Sequence, residues 1–80
     1  MTAEELLEEY AQGKRDFGKL SLVEIDLEGA SLREISFYKA DLSQANLKDA
    51  NLEKANLGYT NFSGASLSGA NLQEADLSNT

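Results

Sequence analysis

From Arg15 onward the chain keeps a five-residue rhythm that very few folds can accommodate. Cut in fives, it reads RDFGK LSLVE IDLEG ASLRE ISFYK ADLSQ ANLKD ANLEK ANLGY TNFSG ASLSG ANLQE ADLSN, thirteen units without an insertion, and then Thr80. The middle residue is always Leu or Phe: Phe17, Leu22, Leu27, Leu32, Phe37, Leu42, Leu47, Leu52, Leu57, Phe62, Leu67, Leu72 and Leu77. The residue before it is always Asp, Asn or Ser, and the first residue is small or apolar in every unit except the one opening at Arg15. On an α-helix five residues advance ~140° beyond a full turn, so these side chains would spiral around every side. On a flat strand an odd period sends successive leucines to opposite faces. They share one interior only if the backbone turns a corner in each unit. Asn, Asp, Ser and Gly tolerate corners and surround the leucines, with Gly29, Gly64 and Gly69 all in fifth place. The expected fold is an all-β solenoid.

Residues 1–14 follow a different period. Ala3, Leu6, Leu7, Tyr10 and Ala11 recur at helical spacing and make one apolar stripe. Thr2 and Glu5 form a capping box, Glu4 and Glu5 suit the positive end of the helix dipole, and Gly13 is a ready stop. The expected helix covers about residues 3 to 12 and is too short to be stable alone. Its stripe therefore belongs over the open end of the array, as repeat arrays need a cap there. The chain divides into a capping helix at 1–14 and a repeat segment at 15–80.

The tandem Ala–(Asp or Asn)–Leu–x–x pattern across residues 15–79 resembles the pentapeptide-repeat family, and AEELLEEYAQGKRDF resembles the helical lead-in of its bacterial members. The resemblance implies a right-handed quadrilateral β-helix with four units per coil, so that residues twenty apart stack. Phe17, Phe37, Leu57 and Leu77 then form one interior column, and Leu22, Leu42 and Phe62 a second. Leu27, Leu47 and Leu67 form the third, and Leu32, Leu52 and Leu72 the fourth, in about three coils. Arg15, Leu20, Ile25 and Ile35 depart from the small first residue, which places bulk near the helix stripe. Thr60 is the one hydroxyl at that position and, if buried, needs a partner.

Composition removes several chemistries. The chain has no Cys and no His, hence no thiolate nucleophile, no disulfide and neither of the commonest transition-metal ligands. Acidic side chains such as Asp26 and Glu28, or Asp49 and Glu53, fall on outward positions of what should be a convex rod, whereas active sites are concave. The expectation is no enzyme, no cofactor and no metal. No window is apolar enough to span a bilayer and no basic-then-apolar leader opens the chain, so a soluble cytoplasmic protein without a membrane partner is expected. Net charge is -7, which disfavours direct binding to nucleic acid.

An acidic rod can instead imitate duplex DNA and modulate a type II topoisomerase, as the best-known relatives do. Counted by face, however, the repeats carry net +1, -2, -2 and -1. Three coils span ~15 Å, over which duplex DNA carries about nine charges. Mimicry is therefore the alternative, in a dimer or a longer chain, to a non-catalytic scaffold or protein-interaction module. The one specific surface feature is an outward ladder of Lys19, Lys39 and Tyr59 with Tyr38 beside it, where Lys39 can meet Tyr59 in a cation–π contact. It reads either as a contact patch for an unidentified protein partner or as scattered surface residues, which are normal. The last units stay close to consensus with no polar cap, so the expectation is either a partial chain or a homodimer through the C-terminal coil.

Overall fold

A computed structural model describes all 80 residues. Helix α1 spans Ala3–Ala11, with both halves of the capping box formed between Thr2 and Glu5. The Thr2 N–H and hydroxyl hold the Glu5 carboxyl below its usual range. After Gln12, Gly13 takes φ 104°, a left-handed conformation that ends the helix without a Cβ clash. Leu6 is fully buried, and Ala3 and Tyr10 pack against the same core. Leu7 and Ala11 of the expected stripe lie exposed, because the helix touches the rest of the chain along a narrower line. The Tyr10 hydroxyl donates to the Arg33 carbonyl at 2.7 Å. Arg15 stacks on the Tyr10 ring at 3.8 Å and donates to the Tyr10 and Lys14 carbonyls, which accounts for a charged residue where later units carry Ala.

Beyond the helix the chain returns beside itself every twenty residues. Nine parallel bridges join residues twenty apart and fall into four ladders: Asp16–Ser36–Asn56–Asp76, Ser21–Asp41–Asn61, Asp26–Asn46–Ser66 and Ser31–Asn51–Asn71. The hydrogen bonds explain the repeat position by position. In a typical unit the second, third and fifth N–H groups bond carbonyls of adjacent coils at 2.7 to 3.0 Å. The first N–H closes a tight turn onto the preceding Leu or Phe carbonyl, as Ala50 does to Leu47. The fourth N–H has no backbone acceptor. In ten of the thirteen units the Asp, Asn or Ser at position two supplies it instead, as in Gly18 to Asp16, Glu53 to Asn51 and Gly58 to Asn56, each at 3.0 Å, whereas Ser21, Ser31 and Ser66 do not. Every Asp or Asn at position two accepts this bond, so these residues have a structural part in the repeat and are not merely a solubility pattern.

The corner sits at the fifth residue, which has positive φ in all thirteen units, yet only Gly29, Gly64 and Gly69 are glycines there. Lys, Glu, Gln, Asp, Asn and Tyr fill the others at φ 55° to 64°. Each costs local strain, and the turn and ladder bonds on both sides hold it in place.

The interior is one cluster containing Leu6, the middle residues from Phe17 to Leu57, and Ile25, Ile35, Ala40, Ala45, Ala50 and Ala55. Thr60 is buried with them, and its hydroxyl donates to the Phe37 carbonyl at 2.8 Å. Phe62, Leu67 and Leu72 are half-buried, and Leu77, expected in the core, is 44% exposed. These four belong to the last coil, which no further coil covers. The N–H groups of the same four residues find no acceptor within the chain.

Candidate contact face

The ladder through Asp16, Ser36, Asn56 and Asp76 presents the sequence-derived patch on one face. Its fifth positions are Lys19, Lys39, Tyr59 and Asn79, and its fourth positions are Gly18, Tyr38, Gly58 and Ser78. The Lys19, Lys39 and Tyr59 amides donate to the next coil at 2.8, 2.9 and 2.9 Å, which fixes where each side chain leaves the surface. Tyr38 and Tyr59 meet edge to face, with ring centroids 5.8 Å apart. The Lys39 ammonium lies 5.4 Å from the Tyr38 centroid and 5.9 Å from that of Tyr59, so one cation serves two rings. Tyr59 is 53% exposed and Tyr38 half-buried.

Beside the rings lies a depression of about 390 Å³, lined by Asp16, Gly18, Lys19, Ser36, Tyr38 and Asn56. A convex rod without concavity is the sequence expectation, and this face departs from it for a local reason. Among the repeats, glycine takes the fourth position only at Gly18 and Gly58, one coil on either side of Tyr38. A Cβ on Gly18 would stand 2.7 Å from the Tyr38 carbonyl oxygen, and one on Gly58 would stand 3.2 Å from the Tyr38 ring. Gly58 is buried, and the ring lies close over it. Gly18, Gly58, Ser36 and Asn56 are thus site residues that the sequence reading did not single out. The readable signal was those two glycines at twenty-residue offsets from one tyrosine.

The depression holds one carboxylate, that of Asp16, which accepts the Gly18 N–H at 3.0 Å, and one ammonium, that of Lys19. Nothing in it pairs a nucleophile with a base, and no cluster of acidic residues is arranged to hold a metal. No helix is long and apolar enough to cross a membrane. Asp41 and Asp76 are held below the usual carboxylate range by the hydroxyls and N–H groups of Ser43 and Ser78, which places them in turn formation.

Ladders at twenty-residue spacing, side-chain-capped corners and a columnar core define a β-helical solenoid of the repeat-scaffold class. A family model for pentapeptide repeats matches residues 21–58 and 45–80, and the chain belongs to that family. Solved structures agree. HetL, a pentapeptide repeat protein involved in heterocyst differentiation regulation in the cyanobacterium Nostoc sp. strain PCC 7120, is 41% identical over 98% of this chain with a TM-score of 0.95. A pentapeptide repeat protein of the Arabidopsis thaliana thylakoid lumen is 33% identical over 80% of the chain, with a TM-score of 0.78. A second Nostoc pentapeptide repeat protein is 33% identical over 98%, with a TM-score of 0.73. The chain spans 33% of HetL, 44% of the Arabidopsis protein and 73% of the second Nostoc protein. No curated protein matches it.

Proposed function

We propose that the chain is a non-catalytic interaction scaffold that presents one face to a protein partner. In this reading residues 15–80 form a right-handed quadrilateral β-helix, and the 1–14 segment plugs its first coil through Leu6 and Tyr10. The observation that carries the reading is the Tyr38–Lys39–Tyr59 cluster beside the depression, a contact surface fixed by backbone bonds on three successive coils. Large rings held rigidly are the side chains that dominate protein interfaces. HetL, with its part in heterocyst differentiation regulation, shows a relative at work in a regulatory process. A second copy seated on the open edge of the last coil would add a homodimeric contact.

Site-specific photocross-linking tests the face. A photoreactive phenylalanine analogue replaces Tyr59 in one variant and Lys54, on the ladder through Ser31, in another. Cross-linked protein is expected from position 59, absent from position 54 and lost on Tyr38→Ala. Equal cross-linking from both positions would defeat the proposal. The same reading expects the purified chain to leave type II topoisomerase supercoiling unchanged, since no face approaches the charge density of duplex DNA.

A further inference from the structure

The contact face differs from the others in charge. On the ladders starting at Ser21, Asp26 and Ser31, the outward fourth and fifth positions carry the acids Glu24, Glu28, Asp49, Glu34, Glu53 and Glu74 against the three cations Arg33, Lys48 and Lys54. The corresponding positions of the contact face are Gly18, Lys19, Tyr38, Lys39, Gly58, Tyr59, Ser78 and Asn79, without a single carboxylate. Its acids, Asp16 and Asp76, stand at second positions and accept the Gly18 and Ser78 amides. The chain's ion pairs are Lys14–Glu9, Arg33–Glu34 and Arg33–Glu53; Lys19 and Lys39 enter none of them, and neither do Lys48 and Lys54, which have acids at the fourth and fifth positions of their own ladders. Two cations outside any ion pair and two rings are thus assembled on the one face of net positive charge, +1 with Asp16 and Asp76 counted, on a protein of net charge -7. The other three faces carry net -2, -2 and -1, so an acidic partner is favoured on this one.

Building on the interaction reading, we propose that this face binds an extended acidic peptide segment of a partner protein, of the pattern acid–x–acid–x–aliphatic. The spacing follows from the coils. Lys19, Lys39 and Tyr59 are one coil apart in turn, about 4.8 Å per step, while alternate residues of an extended peptide repeat at about 6.8 Å. Flexible lysine arms bridge that difference. A peptide lying across the coils sets its first carboxylate at Lys19 beside the depression, its second at Lys39, and its aliphatic residue against the exposed Tyr59 ring. Ser36 and Asn56, in the wall of the depression, add side-chain donors beside the first carboxylate. Specificity comes from exclusion as much as attraction, since a basic peptide finds its partners on the other three faces.

The test is an NMR titration of the full labelled chain with acetyl-Glu-Ser-Glu-Ser-Leu-amide, with acetyl-Lys-Ser-Lys-Ser-Leu-amide as control. The acidic peptide should shift the amides of Gly18, Lys19, Tyr38, Lys39, Gly58 and Tyr59, and the basic one should not. Lys19→Gln and Lys39→Gln should each weaken binding about three-fold and together about tenfold, as expected for exposed charge contacts. Added salt should weaken it further, with the Debye length near 8 Å at physiological ionic strength. No binding, shifts on another face, or undiminished binding by the double variant would overturn the assignment. Cross-links persisting from position 59 in that case would leave the interaction reading standing, and their absence as well would remove both.

Discussion

Removing one side-chain acceptor tests the explanation of the repeat most directly. In the unit from Ala50 to Lys54, four N–H groups have backbone partners: Ala50 to Leu47, Asn51 to Ala30, Leu52 to Asn71 and Lys54 to Gln73. The Glu53 N–H has only the Asn51 Oδ1, at 3.0 Å and half-buried. Asn51→Ala deletes that acceptor while leaving every ladder bond in place. A donor stranded in this way costs about 1–2 kcal/mol. With a urea m-value of about 1–2 kcal/mol/M for a chain this small, the unfolding midpoint should fall by roughly 1 M, read by far-UV circular dichroism. Asn51→Asp keeps the acceptor and should stay within about 0.5 kcal/mol of the parent. The reverse change is available at Ser66, whose hydroxyl makes no bond to the Ser68 N–H, so Ser66→Asn should stabilise by up to about 1 kcal/mol. An Asn51→Ala midpoint equal to the parent's would refute the reasoning, because it would show that water serves the fourth N–H equally well.

Two further outcomes follow from the corners and caps. Glu24 sits at φ 63° with an exposed side chain that makes no hydrogen bond or ion pair. Glu24→Gly relieves a left-handed penalty of about 1–2 kcal/mol against a glycine entropy cost of about 0.5–1 kcal/mol, so thermal unfolding should move upward by a few degrees. Acid should act in the opposite direction. The Glu5, Asp41 and Asp76 carboxyls are depressed in the folded chain by their hydrogen bonds, so the unfolded chain takes up protons first. Their contribution is complete above the ordinary values of 4.5 and 3.8 and is lost as pH falls through the lower folded ones. Melting temperatures measured from pH 6 downward should fall in that range, and Glu5→Gln should flatten the part of the curve that reports α1.

Much of this architecture was legible because a five-residue period leaves so few ways to hide a leucine. The helix and its cap were equally legible, since Thr2, Glu5 and Gly13 each answer one identifiable need at a helix end. Other features were not readable because they depend on neighbours twenty residues away. The corners were expected to fall to Asn, Asp, Ser and Gly, yet Lys39 and Tyr59 occupy two of them, because ladder bonds to Gly58 and Ser78 hold the strained residue from outside its own unit. The depression beside Tyr38 arises from two glycines in other coils. The aromatic–basic ladder was visible as a column, but one ammonium shared between two rings required the actual rotamers. Leu7 and Leu77 fit their patterns and are still exposed, since periodicity records which side a residue takes and not how much chain covers that side.

The bridge spacing limits how such a chain can change length. Duplicating twenty residues adds a full lap and leaves Lys19, Lys39 and Tyr59 aligned on their own side. Gaining or losing a single quintet between Lys39 and Tyr59 would satisfy the interior just as well, but it would rotate everything downstream by a quarter lap and send Tyr59 around the corner. Core packing therefore tolerates indels in fives, while a recognition surface written across laps tolerates them only in twenties.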